Sequence, residues 1–162
     1  MATIRLEDLV RFSHVVVAFV FVAALLGRDI VLARARRSQD VTEIASLAET
    51  AGPFERIIQP TSVLVLVLGL LTMWAEDIPL WSEGTRWVTV SLVLFVSVAV
   101  LVPTVFLPRG RVFQRALSDS TQAGAVLPAL RAALDDRAVA LARTYEIVAV
   151  GVVIFLMVVK PF

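Results

Sequence analysis

The chain reads as an all-α polytopic membrane protein: four transmembrane helices in an up-down bundle, with short amphipathic helices in two cytoplasmic loops. Three observations predict this. Hydrophobic residues make up 59% of the 162 positions, and mean hydropathy is +0.87. Soluble domains carry roughly 45–50% apolar residues, so lipid must cover the excess. Apolar runs recur four times at a length near the roughly 20 residues needed to cross a hydrocarbon core of about 30 Å. Finally, the basic residues gather on alternate loops.

The first run is the organising one. Arg11 to Arg37 reads RFSHVVVAFVFVAALLGRDIVLARARR, and between Phe12 and Gly27 only Ser13 and His14 are polar. Span one is placed at 9–32, with Glu7 and Arg11 spaced i, i+4 for an ion pair ahead of it. The charge before the run is mixed (Arg5, Glu7, Asp8, Arg11) and the larger basic cluster lies behind it. A secretory signal has the opposite polarity, so the span is expected to persist in the mature protein.

Residues 38–55 place Val41, Ile44, Leu47 and Ala48 at helical spacing, which predicts a short interfacial helix stopped at Gly52-Pro53. Span two follows at 57–74, with Pro60 in its first turn, where a missing N–H is tolerated. Residues 75–86 form an acidic turn flanked by Trp74, Trp81 and Trp87, the pattern of an interfacial aromatic belt. Span three covers 87–107. Pro103 inside it removes the hydrogen bond to the Ala99 carbonyl and predicts a kink. The following loop begins with Arg109, Arg111 and Arg115, forms a helix, turns at SDSTQAG and restarts after Pro128. Asp135 and Asp136 suit an N-cap for span four, 141–159. Each half thus reads as a span, a basic exit, an amphipathic helix and a returning span, within a single domain, 1–162.

Four spans put both termini and the 75–86 turn on one side, with Arg5, Arg11, Arg86 and Lys160. The other eleven of the 15 basic residues lie on or beside the two long loops. The positive-inside rule then sets loops 33–56 and 108–140 in the cytoplasm and both termini outside.

Net charge is +1 and cysteine is absent. The first excludes a global field for nucleic acid. The second excludes disulfides, thiolate metal sites and cysteine nucleophiles. No P-loop, dinucleotide motif, zincin helix or nucleophile–His–acid set is present, so no catalytic residue, cofactor or metal site is assigned and an enzyme is not expected.

The segments ALLGRDIVLARARR, GPFERIIQPTSVLVLVLGLLT, LVPTVFLPRGRVFQRAL and RTYEIVAVGVVIFLMVVKPF together resemble domain-of-unknown-function family 2269, over about Phe12 to Phe162. The resemblance implies a small four-helix protein of the bacterial cytoplasmic (inner) membrane, and brings no activity with it. A looser likeness, through His14, is to the copper-resistance D-type membrane proteins, although further histidines and methionine clusters are missing.

Five intramembrane polar residues are candidates: His14, Arg28, Asp29, Arg143 and Glu146. His14 is the lone histidine and could ligate haem or copper only across a symmetric dimer; the plainer expectation is a hydrogen bond within the bundle. Glu146 is the carboxylate inside an apolar run, costly there and so a functional candidate. Its depth of roughly 8 Å from the inner boundary, at 1.5 Å per residue, and Arg143 one turn earlier favour a local ion pair. The same count sets His14 and Glu146 about 15 Å apart along the normal, too far to bond. Arg28 is expected to snorkel and Asp29 to partner a neighbouring helix. Arg34, Arg36, Arg37, Arg109, Arg111 and Arg115 follow the exits of spans one and three and could hold anionic lipid headgroups. Ala23-xxx-Gly27, Gly69 and Gly151 allow close helix approach.

These residues favour a non-catalytic structural or accessory subunit packing with lipid, other membrane chains or copies of itself. The alternatives are a small proton- or ion-coupled transporter or channel using Glu146 or His14, and a haem or copper site at a dimer interface.

Overall fold

A computed structural model describes residues 5–161. Among these residues it is all-helical: α1 (Leu6–Arg37), α2 (Val41–Ala75), a single 3-10 turn (Glu83–Thr85), α3 (Arg86–Leu101), a π turn (Val102–Phe106), α4 (Leu107–Ala123), α5 (Pro128–Leu134) and α6 (Arg137–Val159). Four helical stretches are long and apolar enough to cross a membrane.

The stretches pair as two antiparallel hairpins. At one end Arg11 of α1 holds Glu76, just past α2, at 2.6 Å; at the other, Arg34 holds Glu43 at 3.1 Å. Arg11 therefore reaches across to α2, not one turn back to Glu7, which pairs with Arg5. In the second hairpin Lys160, closing α6, sits 5.3 Å over the Trp87 ring near the start of α3, and Ser97 and Tyr145 share a 2.6 Å hydrogen bond at mid-length. Phe21 against Phe95 joins the hairpins near their middle.

Two expected boundaries dissolve. The interfacial helix before Gly52-Pro53 and span two are one 35-residue helix, with Pro53 and Pro60 inside it. Each proline removes a single ladder bond. Packing offsets the loss at Pro53: Ala51 is buried and the Phe54 ring seats against Gly27, where a Cβ would lie 2.6 Å from a ring carbon. Gly27 is thus a notch for α2, whereas Gly151 faces open space.

Likewise span three does not end near 107 but runs through the π turn into α4. Pro103 donates nothing to Ala99, and the Ala99 carbonyl instead accepts the Val102 N–H. The Leu107 N–H then bonds back to Val102, five residues earlier, and the Thr104 hydroxyl satisfies the Val100 carbonyl at 2.6 Å. The ladder re-registers through these bonds, and the helix continues. Π turns of this sort recur at functional positions.

At the arginine-rich end of the helices, Val41 and Ile44 of α2, Ala116 and Leu117 of α4, and Leu130 and Leu134 of α5 close a small apolar core. Arg131 clamps it to α1, donating to the Arg36 carbonyl at 2.9 Å and the Ser38 carbonyl at 2.7 Å. Carbonyls at a helix C-terminus have no partner within the helix, and this guanidinium supplies one. At the opposite end Trp87 is buried with Val88 and Leu156, so it belongs to the core. Only Trp74 and Trp81 of the expected belt are exposed.

Candidate functional site

The intramembrane charges meet at one place. Arg28, four turns from the start of the apolar run on α1, is buried and donates from Nη2 to Glu146 Oε2 on α6 at 2.5 Å. Its Nε donates to Asp29 Oδ1 at 3.1 Å. Arg143 lies 3.9 Å from the same Asp29 oxygen. The Phe106 ring, set by the π turn, lies 5.7 Å from the Arg28 guanidinium carbon, a cation–π distance. Two arginines and two carboxylates thus form a neutral quartet that bridges the two hairpins.

This differs from the expected pairing in two respects. Glu146 is held by Arg28, 118 residues away, not by Arg143 one turn earlier. Arg28 does not snorkel to the boundary; it turns inward to Glu146 and Asp29, whose charges compensate its burial. Asp29 does partner a neighbouring helix, through Arg143.

Three members of the quartet, Arg28, Arg143 and Glu146, line an open cleft of about 550 Å³ between α1, α2, the π turn, α4, α5 and α6. Its walls carry Arg28, Arg36, Arg109, Arg111, Arg115 and Arg143 against Glu55 and Glu146. Of the six exit arginines, the fold brings Arg36, Arg109, Arg111 and Arg115 together there. Arg34 is taken by Glu43, and Arg37 is exposed outside the cleft. Arg109 is also bonded to Asp136, the N-cap of α6, whose Oδ1 accepts the Ala138 and Val139 amides. Burial works to raise the Asp136 carboxyl, but the Arg109 bond and those amides outweigh it and hold it below its ordinary value. Glu43, outside the apolar part of α2, is lowered chiefly by the Ser38 hydroxyl and then by Arg34.

His14 lies elsewhere. It lines a separate cavity of about 250 Å³ toward the Arg11–Lys160 end, and its ring packs onto Gly69 of α2. Nδ1 is buried without a hydrogen-bond partner. The ring is half-buried against its own hairpin partner α2. Among the described residues no group of three His, Cys, Asp or Glu gathers as a metal site.

Sequence reasoning missed Arg131, Phe106 and the Arg28–Glu146 contact. The last had a signal: both residues sit at similar depths from the basic boundary on helices that return to it. Arg131 offered none, since its acceptors are main-chain carbonyls.

Four membrane-length helical stretches, joined by an interhelical charge quartet, define a polytopic helical membrane protein. The chain belongs to the family described as predicted integral membrane protein (DUF2269), whose model matches residues 8–161. No curated protein matches it, nor does any solved structure, and the copper-resistance likeness gains no support.

Proposed function

We propose that the protein is a non-catalytic accessory subunit of the bacterial cytoplasmic membrane, a helical scaffold that packs against lipid and other membrane chains and moves no ions. One observation carries this: Glu146, the carboxylate best placed for proton or ion coupling, is tied at 2.5 Å to Arg28 inside a quartet whose charges cancel. A coupling group must face a wet path that continues to the other side. Beyond the quartet, α1 presents Leu25, Ala24 and Phe21, and α6 presents Ala149, all buried and apolar. The flanks of α2 carry exposed Val63, Leu64, Val67 and Leu70, the surface that lipid or a neighbouring chain would cover.

Orientation follows from the charge distribution: eleven basic residues on the side of the α1–α2 loop and α4–α5, four on the other, which supports long loops in the cytoplasm and termini outside. Single cysteines at Ser82 and Ser118 test this with an impermeant thiol reagent. Ser82→Cys should react on intact cells and Ser118→Cys only after permeabilisation; the reverse pattern overturns the orientation.

A transporter reading draws on one fact, that Glu146 lines a cleft open at the basic end. Proteoliposomes decide between the two. The scaffold reading expects pH-dependent flux no greater than in protein-free liposomes. Flux above that background, abolished in Glu146→Gln, would establish transport instead.

A further inference from the structure

The cleft carries more positive charge than the protein answers. Arg28 is matched by Glu146 and Asp29, and Arg109 by Asp136. Arg36, Arg111 and Arg115 have no carboxylate at ion-pair distance among the described residues, and Glu55 is the only further carboxylate on the walls. Counting Asp29 and Asp136 with the wall glutamates sets four carboxylates against six arginines, an excess of two positive charges. Arg143, deeper on the same wall, has its Nε buried without an acceptor.

A charge-biased loop explains how many arginines lie on this side, but not why they converge on a concave surface. Nor does it explain the apolar half of the lining, where Ile58, Val102, Phe106 and Phe113 stand beside the guanidinium groups. Arginine presents a rigid fork of donors that matches phosphate oxygens two at a time. An arginine wall beside an apolar wall suits a phosphate joined to a hydrocarbon chain. The volume falls in the range of about 300–1,000 Å³ typical of small-molecule sites. Basic pockets between spanning helices are where lipid phosphates lodge.

We infer that this cleft is a binding site for a phosphate headgroup bearing two negative charges, carried on a membrane lipid. Two headgroup types meet that description, a phosphomonoester and a pair of linked phosphodiesters. A single phosphodiester does not, and would leave one arginine unanswered. Arg111 and Arg115, exposed on α4, grip the phosphate at the mouth, and Arg36 and Arg143 receive it from within.

The test uses the full chain, delipidated in detergent and titrated with defined lipids, bound lipid being read by native mass spectrometry. Phosphatidic acid and cardiolipin should bind at least about tenfold tighter than phosphatidylglycerol, the order expected from added arginine–phosphate contacts. The double substitution Arg111→Gln, Arg115→Gln should erase that preference while leaving the thermal unfolding midpoint unchanged, since neither residue is buried. Inorganic phosphate at millimolar concentration should not displace bound lipid; full displacement would make free phosphate the ligand and overturn the lipid assignment. Equal affinity for phosphatidylglycerol would overturn the double charge. Retention of the preference by the double variant would overturn the site.

Discussion

Replacing Glu146 with Gln removes the charge facing a guanidinium that is 6% exposed. Arg28 then keeps one ionic partner, Asp29 at 3.1 Å, which Arg143 also shares at 3.9 Å. Breaking a buried pair by deleting one partner costs roughly 3–5 kcal/mol, because the other charge is stranded. The remaining Asp29 contact places this case at the low end, about 3 kcal/mol. For a chain of this size each kcal/mol moves the unfolding midpoint by roughly 2–4 °C, so the midpoint in detergent, followed by tryptophan fluorescence, should drop by on the order of 10 °C. Removing both charges with Arg28→Met and Glu146→Leu should recover most of that loss, since apolar replacements of a buried pair are often neutral. An exposed pair would contribute only about 0–1 kcal/mol. If Glu146→Gln falls in that smaller range while Arg143→Gln destabilises strongly, the interhelical pairing is wrong and the local one is right.

Three further outcomes follow. Gly27→Val should destabilise by roughly 1–3 kcal/mol, the cost of overpacking, because its side chain would enter the Phe54 ring; adding Phe54→Ala should relieve part of that loss, which a purely local helix effect would not allow. Arg131→Ala should loosen the α4–α5 cap by exposing the Arg36 and Ser38 carbonyls, seen as faster amide exchange at residues 128–134 with little change in the spanning helices. Asp136 is held below its ordinary value, so its bonds stabilise the α6 start fully above the unfolded carboxylate range near about pH 4. That contribution should fade only as pH falls through the lower folded value, and Asp136→Asn should flatten this acid limb of the unfolding curve.

The helical class and the four spans were legible because hydropathy is set by local composition, and Asp136 as an N-cap was legible from its place before an apolar run. Helix ends were less so. Gly52-Pro53 reads as a stop in any local rule, yet Phe54 docking into Gly27 keeps the helix whole, and that contact joins residues 27 apart. The quartet failed for the same reason: i, i+3 spacing made Arg143 the visible partner of Glu146, whereas the true partner is fixed by which helices lie side by side. The arginine cluster was half legible, since composition marks the exits of α1 and α3 but not that Arg34 is diverted to Glu43 while Arg143 joins the cleft.

The pairing of Glu146 with Arg28 can be read directly by solid-state NMR, in protein with 13C on the glutamate side-chain carboxyls and 15N on the arginine guanidinium groups, reconstituted in lipid. A nitrogen–oxygen contact of 2.5 Å predicts strong dipolar dephasing of the Glu146 carboxyl, kept in Arg143→Lys and lost in Arg28→Lys. Dephasing that survives Arg28→Lys and vanishes in Arg143→Lys would contradict the account.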